Sequence, residues 1–291
     1  MRITLKSGFL ALALGQVSAR TGLALNITKI PNEFSIHLNT SQHDDPCSKK
    51  EIFVRPFITD DARVVGKRYA QLETWARFDK EAGQHWIIGA YGPNKNLELT
   101  VGGVYGYQVD HDSKKTFSYA LPLLQSKFLI KDYKPNKGPG YGVVVGTFLP
   151  AGQGSFKPNG YGTFGFLTVS QCLGEGEIFL FHANLGGNYL YIDGSNNSIL
   201  TWGLGTQIKA YKGMHLVGEV FSGDPYIPGT GTSWQAGFRY FVSNLIQIDM
   251  TVGNGIAGDI VMPFWYTAGL RIVTEKFRKK NISSPRDRFA T

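Results

Sequence analysis

Between Lys67 and Val273 the chain repeats one pattern, stretches of alternating polar and apolar residues, each closed by a cluster of Gly, Pro, Asn or Asp. A period of two places one set of side chains on each face of a strand. No segment offers the roughly eighteen uninterrupted apolar residues of a spanning helix, so any membrane crossing must be made by strands. Strands can face lipid only when closed into a barrel, because an open edge leaves N–H and C=O groups without partners. The 36 glycines, the 13% aromatic content and the lack of long Ala, Leu, Glu and Lys runs suit strands and tight turns. The expected fold class is all-β, a transmembrane antiparallel β-barrel of about twelve strands. The pattern runs on without a Pro- or Ser-rich linker, which favours one barrel over two domains.

The N-terminus reads as an export signal: basic Arg2 and Lys6, an apolar run from Phe9 to Leu14, then the small residues of Val17-Ser18-Ala19. Cleavage is expected after Ala19. The apolar run is much shorter than the roughly 20 residues a helical anchor needs. The competing reading is a cytoplasmic protein with an apolar first strand. The expected organisation is a signal peptide over 1–19, an N-terminal periplasmic or plug segment over 20–66, the barrel over 67–274 and a basic tail over 275–291. Much of the formal charge of +8 comes from that tail, through Lys276, Arg278, Lys279, Lys280, Arg286 and Arg288. In an exported protein this fits anionic lipid or cell-wall polymer, and nucleic acid is not expected.

Strands are predicted near 67–79, 84–92, 97–109, 117–131, 140–149 and 159–171, then near 177–188, 198–210, 214–223, 233–242, 245–253 and 264–274. Most approach the 9 to 11 or so residues that a tilted strand needs to cross hydrocarbon. An even count puts both ends of the barrel on the periplasmic side. Connections after even strands are compact, at 93–96, 211–213 and 243–244, and those after odd strands are longer, at 110–116, 150–158, 189–197, 224–232 and 254–263. A short first outer loop and a long 132–139 connection depart from this rule.

Charge decides which face is inside, because a cation facing mid-bilayer lipid costs about 2–4 kcal/mol. Phe264, Tyr266, Ala268, Leu270 and Ile272 should face lipid, opposite Thr267, Gly269 and Arg271. The same rule sets Arg239, Asp249, Glu73 and Arg77 inward. Glu73, Arg77, Glu98, Glu219, Arg239, Asp249 and Arg271 are the candidate lumen-lining residues. Their signs alternate over the last four strands and the first, as a solute path or a purely structural network would require. The second, fifth and sixth strands carry too few polar residues to be oriented. The two-residue 243–244 turn leaves a register ambiguity of one residue, which an odd loop or a bulge would remove. Aromatic residues crowd the strand ends, Tyr133, Tyr141, Tyr189, Tyr191, Trp234, Trp265 and Tyr266 among them, as interfacial girdles require and as strand propensity alone would also give.

No catalytic constellation stands out. His182 and Asn184 share a strand face, yet no Ser lies two residues from His182 to complete a Ser-His-Asn set, and His85, His111 and His215 lack metal-ligand spacing. Neither a metal nor a cofactor is expected. Cys47 and Cys172 both fall on the periplasmic side, where a disulfide is permitted; two free buried thiols are the alternative.

The stretch Arg55-Pro56-Phe57-Ile58-Thr59-Asp60-Asp61-Ala62, followed by Gln71-Leu72-Glu73 and Asn96-Leu97-Glu98-Leu99, resembles the bacterial outer-membrane family named for the MetA pathway of phenol degradation. The likeness covers about residues 55–275. It departs in the longer N-terminal region and in the tail after Phe277. The resemblance implies a barrel for channel-like passage of small solutes, hydrophobic or aromatic ones among them. Asp60 and Asp61 could then enter the lumen or stay at the rim, with interior arginines as partners. Other readings are a non-conducting surface-binding or envelope-structural barrel and an outer-membrane lipid hydrolase. The expected setting is the Gram-negative outer membrane, with a monomer in contact with lipid, a small-molecule solute and, during biogenesis, the barrel-assembly machinery.

Overall fold

The structure, a computed structural model, describes residues 58–274 apart from 110–113, 135, 174–177, 193–194, 225–229 and 244, together with two short strands near the N-terminus. Those strands, Arg2–Ile3 and Ile36–His37, pair antiparallel within a unit of their own, Met1–Gln42. The rest of the expected signal segment, Cys47 and the basic tail lie outside the described residues.

The second unit is a closed barrel of twelve antiparallel strands. In chain order they are β1 (Ala70–Asp79), β2 (Ala82–Tyr91), β3 (Leu97–Val109), β4 (Lys115–Lys131), β5 (Gly140–Phe148) and β6 (Gly160–Leu173). They continue as β7 (Phe179–Ile192), β8 (Ser195–Tyr211), β9 (Met214–Ser222), β10 (Thr232–Phe241), β11 (Ile246–Ala257) and β12 (Trp265–Val273). Each strand pairs with its sequence neighbours, and β12 pairs with β1 from Trp265↔Asp79 to Val273↔Gln71, which leaves no free edge. Ala70 and Val273 share one rim, the periplasmic one by the rule for even-stranded barrels.

Two details depart from the sequence expectation, and one open register is settled. The 189–197 stretch is strand, with only residues 193–194 between β7 and β8. Its Asn residues pair across the ladder, Tyr191 opposite Asn196, and the Tyr189 hydroxyl donates to Asn196 Oδ1 at 2.5 Å, so pairing overrides their turn preference. In the 149–159 connection, Gly152–Gln153 pairs with the part of β4 that extends beyond β5, and a 3-10 turn follows at Gly154–Phe156. The ambiguity at 243–244 is resolved by an odd loop, because Phe241 pairs with Gln247 and five residues lie between them.

The exterior is apolar. Leu72, Val101, Leu121, Leu185, Leu204 and Met250 are each about half exposed in the isolated chain, a pattern that suits acyl chains and not water. The three strands that the sequence left unoriented are fixed: Trp86 and Ile88 point inward and Ile87 outward, Val144 inward and Val145 outward, Phe164 inward and Leu167 outward. Trp265 and Tyr133 are interior residues and do not join a girdle. Trp265 shares the inward face of β12 with Arg271, and Tyr133 packs with Cys172, Leu180 and Phe241.

Candidate functional site: the barrel interior

Two inward surfaces meet in the lumen. From β2 to β6, Trp86, Ile88, Val104, Ala120, Leu123, Val144 and Phe164 form two apolar clusters, with Trp75 packed against both. From β8 round to β1, Gln207, Glu219, Gln235, Arg239, Gln247, Asp249, Arg271, Gln71 and Glu73 are all buried. Register explains the second surface. Arg239 faces Asp249 and Arg271 faces Glu73, so alternation along each strand and pairing between strands put opposite charges side by side. Arg271 Nε lies 3.4 Å from Glu73 Oε1 and 3.1 Å from Gln71 Oε1. Arg239 donates to Gln207, whose amide meets His215 Nδ1 at 2.9 Å. Gln235 donates to Glu219 and accepts from Thr251 at 3.1 Å, which extends the polar belt across β9, β10 and β11.

Two of the sequence candidates serve a different partner, the segment just before β1. Glu219 accepts the backbone N–H groups of Ile58 and Thr59 at 3.1 and 2.7 Å, and Glu98 accepts that of Val65 at 2.6 Å. Between those anchors Thr168 donates to the Asp60 carbonyl at 2.7 Å, and Ser170 accepts the Ala62 N–H at 2.9 Å. Asn184, in the orientation that its neighbours require, donates to the Asp60 carbonyl at 2.8 Å and accepts the Asp60 N–H at 2.9 Å. Thr59, Asp60, Asp61, Ala62 and Val65 are consequently buried. The wall leaves room for them: a Cβ at Gly203 would lie 2.5 Å from Thr59 Oγ1, and one at Gly142 would lie 3.2 Å from the Ala62 carbonyl.

Asp60 and Asp61 lie inside the barrel, and their closest cations are not the interior arginines that the sequence suggested. Asp60 pairs with Lys127 of β4 at 2.7 Å, and the same ammonium donates to the Arg63 carbonyl at 3.2 Å. Asp61 pairs with Arg63, two residues along its own segment, at 2.7 Å. Burial would raise the Asp61 carboxyl, but the Arg63 guanidinium prevails and holds it well below the ordinary carboxylate range. Lys127 was missed in the sequence; its signal was a cation within the body of β4, away from the strand-end Lys115 and Lys131, beside lipid-facing Phe128.

Arg77 stands apart from the belt. It is 7% exposed, its guanidinium carbon lies 4.6 Å from the Trp265 ring centroid, and its one ion pair among the described residues, to Asp79, is long at 3.5 Å. It borders a partly open cavity of about 440 Å³ in the extracellular half, walled by apolar side chains of β2 to β5 together with Gln84 and Gln108, and flanked by the 155–162 and 260–263 stretches.

A serine does meet His182, from the neighbouring strand and not from the same one: Ser170 Oγ lies 2.9 Å from His182 Nδ1. Both are buried beneath Ala62 on the lumen side, so the pair cannot meet a lipid ester from the membrane. Among the described residues no group of three or more His, Cys, Asp and Glu is placed to hold a metal ion. Cys172 is buried and disulfide-bonded; Cys47, the chain's other cysteine, lies outside the described residues.

No protein-family profile matches the chain, and no curated protein does. Solved structures do. An outer-membrane channel from Pseudomonas putida F1 superposes with a TM-score of 0.54 at 11% identity, over 76% of this chain and 100% of that one. The NanC porin gives 0.47 at 10% identity over 72% and 100%, and Omp33 of Acinetobacter baumannii gives 0.40 at 9% over 72% and 99%. The chain has the fold of a Gram-negative outer-membrane barrel. At this level of identity the likeness is one of fold, and the solute, if any, must be argued from the lumen itself.

Proposed function

We propose that the protein is a restricted outer-membrane channel for small solutes whose lumen is closed by a plug, residues 58–66. The observation that carries this reading is the way the lumen is filled. A purely structural core would be filled by wall side chains, whereas here glycines at 142, 203 and 205 leave space that a separate piece of chain occupies. That piece is held by side chains of Glu219, Asn184, Thr168, Ser170, Lys127 and Glu98 and not by a strand ladder. Contacts of this kind can be exchanged for water one at a time. Twelve strands also enclose a narrower bore than the 16 to 18 or so strands of open porins. The resemblance to the phenol-degradation outer-membrane family agrees with passage of small apolar or aromatic compounds, and the apolar inner wall suits them. The reading is of a non-enzyme, because the Ser170–His182 pair lies under the plug.

The test is planar-bilayer conductance. The folded protein should give small, interrupted currents, and Lys127→Met with Glu219→Gln should lengthen and enlarge them. Silence from both, with folding verified by heat-modifiable gel migration, would instead favour a non-conducting surface-binding or envelope-structural barrel. The continuity of the polar belt from β8 to β1 is the observation that supports that second reading.

A further inference from the structure

The cavity in the extracellular half has a construction that neither the belt nor the plug explains. Its walls include Trp86, Val104, Phe148, Phe156 and Met262, and its volume, about 440 Å³, suits a single-ring organic molecule. Among these apolar groups sits one buried cation, Arg77. Its Nε–H is buried and has no hydrogen-bond partner among the described residues. Stacking on Trp265 holds the guanidinium, Asp79 engages only Nη2, at 3.5 Å, and the buried Asp224 carboxylate attracts it electrostatically. Two carboxylates thus balance its charge in part, while its Nε–H stays open to a ligand. Of the other charged groups on the lining, Lys157 is exposed and Glu81 is turned to Lys80 at 3.5 Å. A buried donor left unsatisfied is costly, and a guanidinium bonds most strongly to a carboxylate or a similar oxyanion.

We propose that this cavity binds a small organic anion with an apolar body, its oxyanion on Arg77 and its body against Trp86, Phe148 and Phe156. The inference deepens the channel reading and rests on it for the meaning of the site, an outer station at which a solute waits above the plug. Binding itself does not require conduction.

Tryptophan fluorescence of the full chain, folded in detergent micelles, can be titrated with benzoate, benzyl alcohol and acetate. Benzoate should saturate, and the alcohol and acetate should each bind at least tenfold more weakly, one lacking the charge and the other the apolar body. Arg77→Gln should cost benzoate about tenfold and leave benzyl alcohol unchanged. Phe156→Trp, in the loop and outside the strands, should obstruct benzoate without disturbing the barrel, so the proposal stays testable if the Arg77 variant fails to fold. Absence of saturation by benzoate, equal binding of the alcohol, or indifference to both variants would overturn the site. Benzoate that binds without entering proteoliposomes supports the site and defeats the channel reading; currents without benzoate saturation do the reverse.

Discussion

The inward faces of β2 to β6 and of β8 to β1 enclose the same lumen by opposite means. The first carries an apolar patch that packs on itself, with Leu123 and Val144 nearly inaccessible and Phe164 in contact with Phe148 and Phe166, and a polar periplasmic end with Glu98, Lys127, Thr168 and Ser170. The second is a belt of charges and amides whose side chains bond along and across the strands. The apolar side gains from each methylene removed from water and tolerates loosening. The belt gains little net energy from burial of its charges, yet suffers when one partner is taken away. The difference bears on function: a wall that packs on itself can border a cavity such as the one under Phe156, whereas the segment before β1 is held from both sides, by Glu219 of the belt and by Glu98, Lys127, Thr168 and Ser170 of β3, β4 and β6.

The largest effect should come from splitting a pair in the belt. Arg271→Met leaves Glu73 buried without its cation and should cost about 3–5 kcal/mol, read as the denaturant midpoint of the heat-modifiable band. Adding Glu73→Leu removes the stranded charge and should bring stability back to within about 1 kcal/mol of the parent. A double variant no better than the single one would show that the belt stabilises by something other than charge pairing. On the apolar side, Leu123→Ala should cost about 3 kcal/mol by opening a void, with no second substitution in the belt able to compensate.

The boundary between wall and plug should respond more gently. Gly203→Val pushes a side chain into the place of Thr59 and should weaken plug docking by about 1–3 kcal/mol, detected as faster proteolysis near residues 58–66 while the barrel stays folded. Acid should do least. The Asp61 carboxyl is lowered in the folded chain, so its contribution is complete above its ordinary value of 3.8 and is lost only as pH falls further, through the folded value. Burial raises the neighbouring Asp60 carboxyl to about 7 against the pull of Lys127, so docking takes up a proton there. Plug accessibility should therefore fall slightly between pH 8 and pH 5 and rise only in stronger acid; a rise already at pH 5 would point to a different acidic group as the fastener.

Legibility followed the same division. In β10, β11, β12 and β1 most inward positions away from the strand ends carry a charge, an amide or a small residue between lipid-facing apolar ones, Trp75 being an exception, so Arg239, Asp249, Arg271 and Glu73 could be assigned to the lumen from their neighbours alone. In β2, β5 and β6 polar residues are few and uncharged at most positions, as Gln84 and His85 on β2 or Thr163, Thr168, Ser170 and Gln171 on β6, and they fall on both faces. Alternation there carries no sign, and Trp86, Val144 and Phe164 became interior residues only once the barrel had closed. The same limit hid Lys127 as the partner of Asp60, 67 residues away in sequence, and Ser170 as the neighbour of His182.

From the sequence alone came the architecture, because a period-two pattern with no apolar run long enough for a helix has only one way to satisfy its backbone in lipid, and the inward face wherever a charge marked it. The partners across the lumen were settled by tertiary structure. Glu98 and Glu219 read as channel-lining carboxylates, and they hold backbone N–H groups of the plug. Strand periodicity specifies which way a side chain points, whereas what it meets there depends on closure and register, which bring distant parts of the chain within 3 Å of each other.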